Sequence, residues 1–449
     1  MARQTFCDGL HRRNFLHVGA AGALGLNFTL PWLLERQARA KEARSAGEGT
    51  NPKDDVSLIF LFLKGGLSTI DTFDLKPQAP AEIRGEFKPI DTSVPGIQVG
   101  EHLPRVARQI DKFSLIRSFS HVDSNHGPAD HYMLTGYHPT PSFNPNLSPN
   151  NERPALGSVI SHKLGPRGAA PPYVCVPKMH PSAGSAYLGP GAAPFVIEAD
   201  PSAPGFSVPD LTPPLSLAAS RVANRRELLK QVDRFQQAAE AEVNKSARDV
   251  GVFRQKAFDL MTSEQAMEAF DISREPEQLR DEYGRHSLGQ SCLMARRLVE
   301  AGVRCVSIDH TNWDTHDNNF SVLKNELLPD LDSGMSTLFR DLAERGMLET
   351  TIVLVTGEFG RTPRINQNAG RDHWGPSFTV MLGGGGVPGG KVIGASSAHA
   401  EKPATSPHGP EDLAATVFHL LGIDPHEEFY TPERRPVKIA EGKVIRELV

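Results

Sequence analysis

Val56-Ser-Leu-Ile-Phe-Leu-Phe-Leu63, followed by Lys64-Gly65-Gly66, is the stretch of this 449-residue chain from which the rest can be read. A nearly unbroken apolar run of this length is the mark of a strand buried on both faces. The lysine and two glycines then make a loop at the strand's carboxyl end. Similar runs recur downstream at Phe113–Ser118, Tyr173–Val176, Val303–Asp309, Thr351–Thr356 and Phe378–Leu382. Amphipathic helical patterns alternate with them at Ala218–Val243, Val252–Phe270, Ser287–Ala301, Asn318–Arg345 and Glu411–Leu421. Gly302 and Gly346 stand as stop signals behind two of these helices. Alternation of this kind predicts an α/β fold with a mostly parallel central sheet and helices on both faces. The expected organisation is one domain over 55–449, with a loop-rich insertion at 138–215 and a helical insertion at 216–301. Close to half of the chain's 36 prolines fall in the first of these.

Upstream of residue 55 the chain reads as an address. His11-Arg12-Arg13-Asn14-Phe15-Leu16 precedes a mildly apolar stretch from Val18 to Leu34 that has no acidic residue, and Ala38-Arg39-Ala40 supplies small residues two apart. This is the form of a cleaved twin-arginine export signal over 1–40, with a linker at 41–54, and implies a periplasmic or extracellular location. The stretch is short and glycine-containing for a membrane anchor, and no other segment approaches a span. Removing the signal moves the formal charge from −5 to −8. An acidic balance argues against a nucleic-acid partner, which demands clustered Lys and Arg. Cys175, Cys292 and Cys305 remain, too few and too odd in number for a disulfide framework, and read as free buried thiols.

Ligands of open α/β sheets bind outside the carboxyl ends of the strands. Four polar loops fall there: His121-Val-Asp123-Ser-Asn-His126 with Asp130-His131, His310 to Asp317, Gly357-Glu358-Phe-Gly-Arg361, and Gly370-Arg371-Asp372-His373-Trp374. Imidazole and carboxylate are the ligand types of Zn, Mn, Fe or Ca. Their convergence on one divalent metal or anion site is expected, although surface Asp and His are common enough to scatter without meaning. His126, at a predicted helix start, is a candidate metal ligand, general base or nucleophile. Asp309, Asp314, His316, Glu358, Asp372 and His373 are candidate metal ligands. Lys64 and Arg361 are the cations placed to neutralise an oxyanion, Arg361 having a structural pair with Glu358 as its alternative. Trp313 and Trp374 would wall or cap the site.

The frame His126-Gly-Pro128-Ala-Asp130-His-Tyr-Met133-Leu134-Thr135-Gly136 resembles the sulfatase motif Cys-x-Pro-Ser-Arg-x-x-Leu-Leu-Thr-Gly, which carries the nucleophile. The carboxyl end, with Val380-Met-Leu-Gly-Gly-Gly-Gly-Val-Pro-Gly-Gly390 before the helix at Glu411, is also similar to sulfatases. Both features are similar to the alkaline phosphatase-like superfamily, whose members hydrolyse phosphate or sulfate esters with one or two metals. More closely, the export signal combined with GGLSTIDTFD, MLTG, GEFGRTP and GRDHW resembles a sulfatase-related family, domain of unknown function 1501. The resemblance implies a sulfated or phosphorylated small molecule or polysaccharide as substrate. It also shows departures. The acid that the superfamily carries after its first strand is replaced by Lys64-Gly65-Gly66, with Asp71 and Asp74 the nearest acids. His126 stands in the nucleophile place, and Glu358-Phe359-Gly360 replaces Asp-His-Gly. Asp309 or Asp314 with His316, and His373 as the last ligand, match in position. A metal-dependent ester hydrolase is one reading of this pattern. A fold-retaining protein that binds extracellular glycans is the other, and a structural part of an envelope assembly a third.

Overall fold

The computed structural model describes residues 55–208 and 263–449. The signal, the linker, the helix expected at Ala218–Val243 and all but the end of that at Val252–Phe270 lie outside the described residues. Ser57–Leu63 forms β1, Phe113–Phe119 β2, Tyr173–Val176 β3, Phe195–Val196 β4 and Cys305–His310 β5. Thr351–Thr356 forms β6, Phe378–Gly383 β7 and Val392–Ile393 β8. They make one eight-stranded sheet in the order β8-β2-β7-β6-β1-β5-β3-β4. β1 lies at its centre, parallel to β5 and β6, with Leu58 opposite Cys305 and Leu61 opposite Val355.

Alternate side chains of β1 enter two separate cores. Ile59, Leu61 and Leu63 pack with the helix α3 (Ser287–Glu300) and the helix α4 (Leu328–Glu344). Leu58, Phe60 and Phe62 pack with α1 (His126–Thr135), α2 (Leu156–Leu164) and α5 (Pro410–Leu420). A strand with no solvent face has to be apolar throughout. Each Leu, Ile or Phe removed from water there contributes about 1.5–3 kcal/mol.

Two features differ from a simple reading of the pattern. The proline-rich stretch after residue 138 supplies the helix α2 and puts two strands, β3 and β4, into the main sheet. Tyr173–Val176 lies between Pro172 and Pro177 and still pairs with β5, because proline disrupts only its own position in a ladder. β7 runs antiparallel to both neighbours. The chain leaves β6 at the carboxyl edge, folds residues 357–377 there and re-enters the sheet from the same edge. All four polar loops therefore share one edge. Cys175, Cys292 and Cys305 are free and buried, and no helix among the described residues is long and apolar enough to cross a membrane.

Candidate metal centre

Three backbone contacts bring the loops together. Lys64 N–H donates to His310 C=O (2.8 Å), Trp313 N–H to Lys64 C=O (3.1 Å), and Arg371 N–H to Thr315 C=O (3.1 Å). Gly65 has φ +115°, and a Cβ there would stand 2.3 Å from the Asp314 nitrogen. Only glycine lets the β1 loop approach the 313–314 turn so closely. Gly370 meets His316 in the same way, a Cβ falling 1.7 Å from its carbonyl oxygen.

The histidine rings share one arrangement. His126 Nδ1–H donates to Glu358 Oε1 (2.6 Å), His316 Nδ1–H to Asp372 Oδ1 (2.7 Å), and His373 Nδ1–H to the Ser124 carbonyl (2.9 Å). A neutral ring whose Nδ1 donates presents a lone pair at Nε2. All three Nε2 atoms turn toward the Asp314 carboxylate: His126 at 3.1 Å from Oδ2, His316 at 3.0 Å and His373 at 2.9 Å from Oδ1. The Nε2 atoms of His316 and His373 are themselves 2.9 Å apart. Acceptors packed this closely repel unless protons or a cation lie among them. Atoms bound to one ion at about 2.0–2.2 Å stand roughly 2.8–3.6 Å apart, so these residues fit a metal. His126, Asp314 and His373 present ligand atoms all within 4.8 Å of one another, and His316 extends the group. Histidine rings that donate their other N–H to a carboxylate or carbonyl are the usual form of a metal-ligating imidazole.

Electrostatics agree. Burial opposes the charge on Asp314, but hydrogen bonds from His126, His373 and Arg361, with the guanidinium's charge, hold its carboxyl far below the usual carboxylate range. Hydrogen bonds to Asp314 and Glu358 raise His126 to about 9 against the opposing effect of burial. In the metal-free protein a proton on His126 thus takes the place a cation would fill.

The remaining candidates are placed differently. Glu358 is fully buried and does not face the Nε2 atoms directly; Gly65 N–H donates to its Oε1 (2.9 Å) and Oε2 (3.0 Å). Arg361 is also turned inward. Its guanidinium meets the carbonyls of Gly65, Gly66, Trp313 and Arg371, and Asp314 Oδ1 at 2.6 Å. It faces Asp314 rather than Glu358 and is not presented to solvent. Lys64 is half-buried with no carboxylate within ion-pair distance among the described residues; its charge is felt by Asp130, His180 and Asp309. Asp309 does not join the centre. Its Oδ2 lies 3.9 Å from Lys178 Nζ and its buried Oδ1 has no hydrogen-bond partner. Asp71, near the missing acid, is consumed by Arg371, Asn319 and Ser68. Trp313 is fully buried, with its indole N–H on His310 Nδ1, and offers no wall to a ligand.

The sequence reading missed the Ser124 carbonyl and the Asp71–Arg371 pair. No side-chain pattern marks a carbonyl, whereas Arg371 beside Asp372-His373 was a usable signal. A family model described as "Protein of unknown function (DUF1501)" matches residues 55–449. The chain belongs to the DUF1501 family. No curated protein matches this DUF1501 chain. Among solved structures it is similar to the phosphonate monoester hydrolase SpPMH from Silicibacter pomeroyi, at 11% identity and TM-score 0.39, covering 87% of this chain and 76% of that one. It is also similar to the PsFucS1 sulfatase from Pseudoalteromonas sp., at 12% identity and TM-score 0.36, covering 86% and 70%. A third is the alkaline phosphatase from the Antarctic bacterium TAB5, at 11% identity and TM-score 0.32, covering 78% and 96%.

Proposed function

We propose that this DUF1501 protein is an exported, metal-dependent hydrolase of sulfate or phosphate esters. The observation that carries the reading is the convergence of three imidazole Nε2 atoms on the Asp314 carboxylate at the carboxyl edge of the sheet. The match of His126–Gly136 to the sulfatase motif frame supports the choice of ester. Asp314, His126 and His373, with His316 beside them, would hold a divalent ion. A set rich in imidazole suits Zn or Mn better than Ca, which prefers oxygen throughout. Such an ion supplies Lewis-acid charge for an ester oxygen and makes water more acidic.

The chain's own groups do the rest. Arg361 keeps Asp314 ionised and aimed. Asp372 and Ser124 fix the tautomers of His316 and His373. Lys64 is the cation free to neutralise an anionic ester, and Asp314 and His316, both partly exposed, leave the centre open to solvent. The substrate class is a sulfated or phosphorylated small molecule or polysaccharide. His126 in place of a hydroxyl or thiol favours the second reading, a protein that binds such ligands without turning them over.

The test is metal analysis of the folded protein, with a panel of aryl sulfates and aryl phosphates before and after chelation. Expected is turnover that chelation removes, that Zn or Mn restores, and that Asp314→Asn lacks. Tightly held metal with no ester cleaved across the panel would overturn the hydrolase and leave the binding protein.

A further inference from the structure

We infer that the centre takes one divalent ion per chain, held by His126, Asp314 and His373, whose ligand atoms lie within 4.8 Å of one another, with His316 against two of them, and that Arg361 supplies the positive charge a second ion would bring. This rests on the metal-binding part of the function proposed above, not on turnover.

Three observations lead to it. First, His126 has the same wiring as the other two histidines: a carboxylate takes its Nδ1–H and its Nε2 faces Asp314. Its ring lies 4.4 Å from that of His373, centroid to centroid. A nucleophilic or basic histidine needs a nitrogen directed at substrate, and both nitrogens of His126 are engaged within the centre.

Second, Glu358 is committed to His126 and the Gly65 loop and is closed off from solvent. Oε1 receives His126 Nδ1–H and Gly65 N–H, Oε2 receives Gly65 N–H, and the side chain is fully buried. It is a positioning residue for His126, as Asp372 is for His316.

Third, the charges close on a single ion. Asp314, Glu358 and Asp372 are the carboxylates in contact with the rings, and Arg361 is the cation on Asp314. With neutral imidazoles the group carries a net charge of −2, the complement of one divalent ion. The guanidinium is sealed in by four carbonyls and cannot swing aside for a second ion.

The experiment is titration of the metal-free full chain with Co(II), followed by visible absorption and by metal analysis after desalting. The expected stoichiometry is one per chain. Glu358→Gln keeps that stoichiometry while weakening affinity about 10–100-fold, and His126→Ala weakens it by about 100-fold or more with a changed Co(II) spectrum. His126→Cys guards against an unfolded alanine variant, since a thiolate at that position produces a sulfur-to-Co(II) charge-transfer band. Two Co(II) per chain, a fall from two to one in Glu358→Gln, or an unchanged affinity and spectrum in His126→Ala overturns the inference. So does a folded His126→Cys that binds Co(II) without the sulfur band. One ion bound with no ester cleaved would overturn the hydrolase alone, whereas two ions with turnover would overturn this inference alone.

Discussion

Two clusters of charged side chains lie on this sheet, and they are built on opposite principles. Between α3, α4 and the segment before them, Arg296 meets Glu275 (2.8 Å), Glu300 (2.7 Å) and Asp341 (2.9 Å), while Arg297 and Arg345 close on the same acids. Three guanidiniums face three carboxylates, Arg296, Glu275 and Asp341 buried and the others partly so, with the signs balanced. At the carboxyl edge, three carboxylates touch the rings while the one guanidinium meets Asp314 alone, and three imidazole Nε2 atoms point inward. The first arrangement needs nothing from outside. The second has surplus negative charge and surplus acceptors, which only protons or a cation can answer. Charge density alone therefore does not mark a functional site; the unmatched sign does.

Breaking each cluster should give different signatures. Asp314→Asn removes the negative charge, and one of the two oxygens, on which the three Nε2 atoms converge. Metal retention should fall by more than about 100-fold, read by metal analysis after dialysis, with an unchanged far-ultraviolet circular dichroism spectrum. Arg296→Met leaves buried acids without their partner and should cost about 3–5 kcal/mol in urea unfolding. Its metal content should match the parent protein, and a loss of metal there would merge the two clusters into one.

Chelation tests the surplus-charge account directly. A ligand held at 100 times its Kd stabilises by about 2.7 kcal/mol, so stripping the metal should lower the unfolding free energy by an amount of that order. An Asp314→Asn protein should show no such change. Asp372 is a gentler probe, being exposed yet bonded to His316. Asp372→Asn should weaken metal binding about 10–100-fold and leave the melting temperature of the chelated, metal-free protein within about 1 °C, because an exposed side chain contributes little to folding.

The smallest effect belongs to the buried pair behind the centre. Burial pushes Asp130 up to about 7 and His180 down to about 4. A carboxyl whose folded pKa is raised binds more protons when folded than when unfolded. Its contribution to stability is therefore lost as pH rises from about 4 to about 7. His180 acts in the opposite sense, gaining stability over roughly pH 4 to 6.5. Asp130→Asn should leave only the histidine's rising slope, seen as a higher stability near pH 8 than near pH 4 in denaturation at several pH values. A gain independent of pH would show that Asp130 is not titrating in this range.

The strands were readable because a strand buried on both faces must be continuously apolar, as β1 and β6 are. Thr351–Thr356 and Tyr173–Val176 were located to the residue, β1, β2, β5 and β7 to within two residues, and the two-residue strands β4 and β8 were not foreseen. The loops at the carboxyl edge followed from the parallel sheet. Asp314, His316 and His373 were picked as candidates from residue type and place, and the structure brings their ligand atoms together. Asp309 matched them in type, yet it lies on β5 itself, where burial directs its carboxylate toward Lys178 instead. Arg361 looked like a cation for substrate, and carbonyls from the Gly65-Gly66 loop and the 313 turn took up its donors.

Residue types and their periods were enough for the α/β layering, the edge that carries the site and the chemical kinds of its ligands. These are local properties of burial and of side-chain chemistry. Which nitrogen of each histidine faces inward, which carboxylate holds a ring, and which cation is sealed from solvent were settled only in three dimensions. Those outcomes depend on hydrogen bonds between residues as far apart as His126 and Glu358. Only the packed sheet and its crossing loops bring such partners within reach.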